Sequence, residues 1–320
     1  MQKQAFLSAN TLRKSPWQRF WINFKKNWQL HLMILLPLAY VLLFNYGPMY
    51  GLQIAFREFN NKKGIWGSEW VGLYHFERFF ANRKWAFYLR NTLTISFYQI
   101  IAGFPIPIIL ALILHVSEKK TLKKIVQNVS YLPHFISVVI LVGILNQLFS
   151  PYSGIYKVIC QNLGILQPDD IRTDPDAFYH LYVWSGIWQQ MGWSAIIYVA
   201  SLSSVSPELH EAAKIDGASR WKRVLNVDIP SILPTICMML ILRCGSIISV
   251  GHEKVLLMQY DSNREVSEII STFVYEKGIG NFDYSFGAAV GLMNTVVNTA
   301  MIVFVNWVTD RLSDGENSLF

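Results

Sequence analysis

The sequence predicts an all-α membrane protein, a polytopic bundle of six transmembrane helices. Three observations carry that expectation. Of 320 residues, 52% are hydrophobic and 15% charged, whereas soluble domains carry about a quarter charged residues. Six apolar stretches approach the ~20 residues needed to cross a hydrocarbon core: 30–50, 92–116, 129–149, 178–202, 232–250 and 286–308. Between the fourth and fifth, a polar and punctuated stretch, 206–234, breaks the pattern. The net charge of +7 would suggest nucleic acid in a soluble protein. Here the basic residues flank apolar runs, so lipid head groups and topology account for them and no nucleic-acid partner is expected.

Residues 1–28 carry Lys3, Arg13, Lys14, Arg19, Lys25 and Lys26 without an acid, interleaved with Trp17, Phe20, Trp21, Phe24 and Trp28. A basic, aromatic segment ahead of a span suits the cytoplasmic membrane surface. No small-residue cleavage site follows the first apolar run, so it reads as an uncleaved span. The organisation that follows is an N-terminal segment 1–28, a membrane domain 29–309 and a C-terminal tail 310–320.

Charge sets the expected orientation. Loop 117–128 holds Lys119, Lys120, Lys123 and Lys124 against Glu118. Loop 150–177 sets Lys157 and Arg172 against Asp169, Asp170, Asp174 and Asp176, and loop 251–285 has three basic and six acidic residues. The positive-inside rule therefore places the tail and loop 117–128 inside and the acidic loops outside. Loop 51–91, with seven basic and three acidic residues, dissents but is long enough to escape the rule. Six spans then put both termini and 206–234 in the cytoplasm. Inside the spans, Pro105 and Pro107 remove backbone donors and predict a kink in the second, while Pro133 marks the start of the third.

The 206–234 stretch is the most informative. Ser206 suits an N-cap, with Pro207 at the first helical position and Glu208 near the positive end of the helix dipole. A helix of about ten residues, roughly 15 Å, then reaches Asp216. Gly217 suits the left-handed position beyond it. Ser219 caps a second short helix carrying Arg220, Trp221, Lys222 and Arg223, and Pro230 and Pro234 bracket the return to apolar sequence. Leu209, Ala212, Ala213 and Asp216 share one face, whose two alanines let another backbone approach closely.

Glu211-Ala212-Ala213, then Asp216-Gly217-Ala218, Ile229-Pro230 and Leu233-Pro234, resembles the "EAA" loop of the membrane-spanning subunits of bacterial ABC importers. Further stretches are similar to permeases for complex oligosaccharides, including uronate-containing fragments such as alginate and pectin oligosaccharides: Tyr131-Leu132-Pro133-His134-Phe135-Ile136-Ser137, Ser246–Leu257, Ala289-Val290-Gly291-Leu292 and Gly315-Glu316. The resemblance implies a multi-pass bacterial plasma-membrane permease whose loop helix, with Arg220 beside it, couples to an ATPase. It implies a second homologous permease, two ATPase subunits that bind ATP and Mg, an extracytoplasmic solute-binding protein and an oligosaccharide substrate. This chain itself needs no cofactor. His252 stands where the commoner pattern has a small residue.

The chemistry missing from the sequence agrees. There is no Gly-x-x-x-x-Gly-Lys-Ser/Thr loop, no HExxH, no cysteine pair at metal spacing and no Gly-x-Ser-x-Gly elbow. Cys160, Cys237 and Cys244 give no disulfide framework. The seven histidines, His31, His75, His115, His134, His180, His210 and His252, are scattered and each reads as structural or interfacial. No enzyme or metal site is expected. Arg243 is the one clear charge inside a span, able either to contact substrate or to pair with a neighbouring helix or subunit. Without intramembrane acids to couple ions, driving energy must enter elsewhere.

A path for solute is sought among polar and aromatic residues in the spans: Tyr98, Gln99, Asn146, Trp188, Gln189, Gln190, Trp193, Arg243, Asn294 and Asn298. Amides hydrogen-bond hydroxyls and aromatic faces stack on sugar rings, a mixture that suits a neutral or weakly charged carbohydrate. Each of these residues also fits interhelical hydrogen bonding or an interfacial tryptophan belt, where Trp184 belongs. Importers of peptides or phosphate esters, and a membrane scaffold without a transport path, are the competing classes.

Overall fold

The computed structural model describes residues 16–165 and 170–312. Lys3, Arg13, Lys14, Asp169, Gly315 and Glu316, named above, lie outside them.

Helices occupy all six expected stretches, but not as six uniform rods. By length and hydropathy, four among the described residues suffice to cross a membrane: Trp28–Phe56, Trp85–Val116, Arg220–Cys244 and Tyr284–Arg311. The third expected span is a bent pair, Lys120–Phe135 and Val138–Leu148, meeting at 102°. Pro133 therefore sits within a corner, in a 3₁₀ turn at Leu132–Phe135, and does not open a straight helix. Ser137 caps the second arm by accepting from the Ile140 N–H at 3.3 Å. Pro105 and Pro107 interrupt the second span for one residue, Phe104, between Trp85–Gly103 and Pro105–Val116. Because they fall in the first turn of the following helix, their missing N–H groups cost little.

The fourth stretch becomes the 29-residue helix Pro175–Ser203, about 44 Å long. Its amides, hydroxyls and glycines make it less apolar than the other four. It is the hub of the fold, packing against Trp85–Gly103, Pro105–Val116, Lys120–Tyr131 and Ile229–Cys244. Asp174 caps it, accepting from the Asp176 N–H at 2.9 Å. Close packing is possible because position 192 is glycine: a Cβ there would collide with the Ser130 carbonyl of the neighbouring helix. Around the hub lie three cores. One gathers Ile95, Val142, Phe178 and Val183; a second, Phe79, Tyr88, Phe273 and Phe286; a third, Ala111, Ala195, Leu202 and Ile232.

The first span stands apart. No residue of Trp28–Val41 is buried, and Met33 and Leu36 are 74% and 77% exposed. A helix apolar on every side is one surrounded by lipid or by other helices. Among the described residues, the long loop 51–91 departs from the all-α pattern with an antiparallel ribbon pairing Arg57 with Trp70 and Glu58 with Glu69.

Candidate functional site: a cationic cavity and an exposed elbow

The elbow forms as its residues dictate. Ser206 accepts from the Glu208 N–H at 3.3 Å and Pro207–Ile215 is helical. Gly217 adopts φ +75°, a conformation open to glycine at no steric cost, and the Ala218 N–H returns to the Ala213 carbonyl at 2.9 Å. Ser219 then caps Arg220–Arg223, accepting from the Lys222 N–H at 3.4 Å. The second helix does not stop there. It runs through a π turn, Val224–Asp228, into Ile229–Cys244, so Pro230 and Pro234 lie within one continuous rod.

Nothing in the first elbow helix is buried. Glu211, Ala212 and Asp216 are exposed, with Ala213 and Ala218 half-buried. Leu209, Ile215 and Trp221 expose 51%, 87% and 74% of their surface. Arg220 reaches Glu118 in the loop before the third stretch at 2.8 Å. Both side chains are exposed, so this tether is worth no more than about 1 kcal/mol.

Beside the hub helix lies a cavity of about 600 Å³. Gln99 enters from the second span, Gln189 and Gln190 from the hub, and Arg243 from the last turn of Ile229–Cys244. Ser246, Ser249 and Gly251 follow from the turn beyond, and Lys254 from the short helix His252–Met258. Two basic side chains line this space and no acidic side chain does. Lys254 is 8% exposed. Its Nζ donates to the Tyr182 carbonyl at 2.7 Å and sits 4.5 Å from the Tyr182 ring centroid. These contacts hold a buried amine without a counter-ion; burial lowers its pKa to about 7, and a bound anion would favour its charged form. Arg243 is exposed to the space. Gln189, 6% exposed, donates to the Ile136 carbonyl at 2.7 Å and so holds the 102° corner to the hub. Gln190 Oε1 lies 2.9 Å from His134 Nδ1.

Of the sequence-derived path candidates, Gln99, Gln189, Gln190 and Arg243 meet in this cavity; the other six lie elsewhere. Tyr98 accepts from Trp184 Nε1 at 2.9 Å and faces His180 Nδ1 at 2.7 Å. Asn146 accepts from the Tyr260 hydroxyl at 3.2 Å. Trp193 stacks on His134, with centroids 4.2 Å apart, and Trp188 is 43% exposed. Asn298 donates to Ser249 Oγ at 2.8 Å and accepts from the Ile248 N–H, joining the last helix to the turn after Arg243. Asn294 lines a second cavity of about 430 Å³, where His252 stacks on Tyr275. Lys254 was the residue that sequence reasoning passed over. Its signal was a lysine next to Val255-Leu256-Leu257-Met258, a context in which a loop cation becomes buried.

The comparisons with known proteins fit this geometry. The model of the family described as binding-protein-dependent transport system inner membrane component matches residues 103–314, and the chain belongs to that family, one of transport components and not of enzymes. It is similar to Protein LplB of Bacillus subtilis (strain 168), 38% identical over 90% of each chain. It is also similar to the polygalacturonan/rhamnogalacturonan transport system permease protein YteP of the same organism, 36% identical over 98% of this chain and 97% of that one. Among solved structures, a chain of a bacterial alginate ABC transporter, in complex with an alginate pentasaccharide-bound periplasmic protein, superposes with a TM-score of 0.84. It is 34% identical, over 94% of this chain and 100% of that one.

Proposed function

We propose that the chain is one transmembrane subunit of an ATP-driven importer that passes acidic, uronate-bearing oligosaccharides from an extracytoplasmic binding protein to the cytoplasm. The observation that carries the acidic substrate is the cavity's charge: Arg243 and Lys254 line it, with no carboxylate among the lining residues. Its amides and serines add donors and acceptors for sugar hydroxyls. The composition of the spans alone suggests a neutral or weakly charged sugar; the convergence of two basic side chains moves the reading to an anion. The relatives agree, since one is named for polygalacturonan/rhamnogalacturonan transport and the solved transporter is one of alginate, bound there to a periplasmic protein that carries an alginate pentasaccharide.

Energy reaches the cavity through the elbow. The exposed Leu209, Ile215 and Trp221 on a polar loop are the mark of a surface that docks on another protein. The EAA motif assigns that partner as a separate ATPase holding ATP and Mg. The uncovered first helix leaves an apolar surface for a second permease of the same kind. Movement of the docked elbow tilts the rod Arg220–Cys244, and so opens or closes the cavity wall that carries Arg243. In this reading the bundle has six spans and both termini are cytoplasmic.

Uptake measured with the assembled transporter tests the charge assignment. A charge-assisted hydrogen bond is worth about 1.5–3 kcal/mol, so Arg243→Gln should cut uptake of a uronate oligosaccharide by roughly 10- to 100-fold. A neutral oligosaccharide, or a phosphate ester, taken up by the wild type in preference to the uronate would refute the assignment.

A further inference from the structure

Three side chains far apart in sequence meet where the elbow joins the bundle. His115 closes the helix Pro105–Val116, His210 lies on the elbow helix Pro207–Ile215, and Asp228 ends the π turn of the rod. His210 Nε2 is 3.2 Å and His115 Nε2 3.5 Å from the same carboxylate oxygen, Asp228 Oδ1. The imidazole rings stand 5.7 Å apart, and one ligand atom from each of the three residues lies within 4.8 Å of the others. The Asp228 side chain is 2% exposed, those of His115 and His210 26% and 19%.

A histidine–carboxylate hydrogen bond would be the simplest occupant of this space, yet the geometry is not that of one. Neither His210 Nε2 nor Asp228 Oδ1 has a hydrogen-bond partner, although both are buried. The atoms converge without a donor pointing at an acceptor, as lone pairs do around a shared cation. The spacing agrees. Zinc binds imidazole nitrogen and carboxylate oxygen at about 2.0–2.2 Å, so a tetrahedral site has edges of about 3.4 Å. The observed 3.2 and 3.5 Å bracket that value. Two nitrogens and one oxygen suit a borderline divalent ion over calcium or magnesium, which prefer all-oxygen shells.

We propose that His115, His210 and Asp228 form a binding site for a divalent transition ion of the zinc class, with a fourth position left to water. The ion joins the elbow helix, the end of the second span and the root of the rod, whereas the Arg220–Glu118 pair links only the rod to the loop after the second span. The site stands on its own geometry; only its effect on energy transfer rests on the function proposed above.

The full chain purified in detergent, freed of metal by chelation, is titrated with Co²⁺ and then with Zn²⁺. The site predicts one Co²⁺ per chain, with the visible absorption of a four- or five-coordinate ion, displaced by one equivalent of Zn²⁺. His210→Asn is made on an exposed helix that leaves folding intact, and it should weaken binding at least tenfold. His115→Asn should do the same. Stoichiometric binding that is unchanged in both variants would overturn the proposal, as would a wild type that binds no Co²⁺ in the micromolar range. A wild type that binds no metal yet imports oligosaccharide counts against this site alone, and metal binding without uptake of any oligosaccharide counts against the transport function alone.

Discussion

The elbow and the cavity are built on opposite plans. The elbow is a contiguous run of residues whose shape is set by neighbours in sequence: Ser206 and Ser219 cap, Gly217 turns, and the side chains face outward. The cavity draws single residues from the second span, the hub, the rod and the helix after it, and each is held by contacts across the fold. An element with local causes can protrude and keep its form while it docks elsewhere. An element with distant causes keeps its form only if the bundle does, so it responds when the bundle moves. The two regions are therefore suited to be the fixed and the yielding ends of one machine.

The comparison breaks first at the elbow. Proline at 217 cannot adopt φ +75° and loses the N–H bonded to the Lys214 carbonyl. Gly217→Pro should abolish substrate-stimulated ATP hydrolysis, and Glu211→Lys should do the same by altering the docking face. In both, the amount of protein in the membrane should be normal. Normal stimulated hydrolysis with the ATPase still co-purifying would show that the elbow transmits nothing.

A second variant sharpens the contrast from the cavity side. Gly192→Val drives a side chain into the Ser130 carbonyl behind the wall that Gln189 and Gln190 share. Overpacking costs about 1–3 kcal/mol, so the midpoint of unfolding should fall, which Glu211→Lys on the exposed elbow should not cause. Equal thermal stability in Gly192→Val and Glu211→Lys would erase the distinction between the two plans. The smallest expected effect lies in the loop that precedes the hub helix. Arg172 bonds the Asp170 carboxylate at 2.8 Å through Nε and holds its pKa below the usual value. That contribution to stability is complete above pH ~4, where an unfolded Asp is already ionised, and is lost as pH falls through the lowered folded value. Arg172→Ala should therefore unfold at a slightly lower midpoint than the wild type at neutral pH, and the difference should shrink as pH falls below about 4.

Legibility followed the same division. The elbow was readable almost to the residue, because caps, turn glycines and helix periodicity act within four positions. The apolar stretches were readable too, but the corner between Phe135 and Val138 was not, since the bend depends on Gln189 reaching Ile136 from fifty-three positions away. Arg243 announced itself as a charge in apolar sequence, whereas Lys254 sat in a segment whose acidic residues gave it the look of an ordinary loop. His115 and His210 look scattered in sequence because they become neighbours of each other and of Asp228 only once the rod folds back beside the second span. Asn294 and Asn298 share a helical face in sequence, yet Asn298 bonds Ser249 and Ile248 while Asn294 lines the second cavity.

The rod Arg220–Cys244 begins in the elbow and ends one residue beyond Arg243. Its 25 residues make a lever about 37 Å long, so a swing of about 5° at the docked end carries the guanidinium roughly 3 Å. That stroke is about the length of one hydrogen bond. Under the proposed function, a small angular change, no larger than the scatter between packed helices, would be enough to hand a carboxylate from protein to water. Such a gearing needs no hinge within the membrane, only a stiff spoke anchored off-centre.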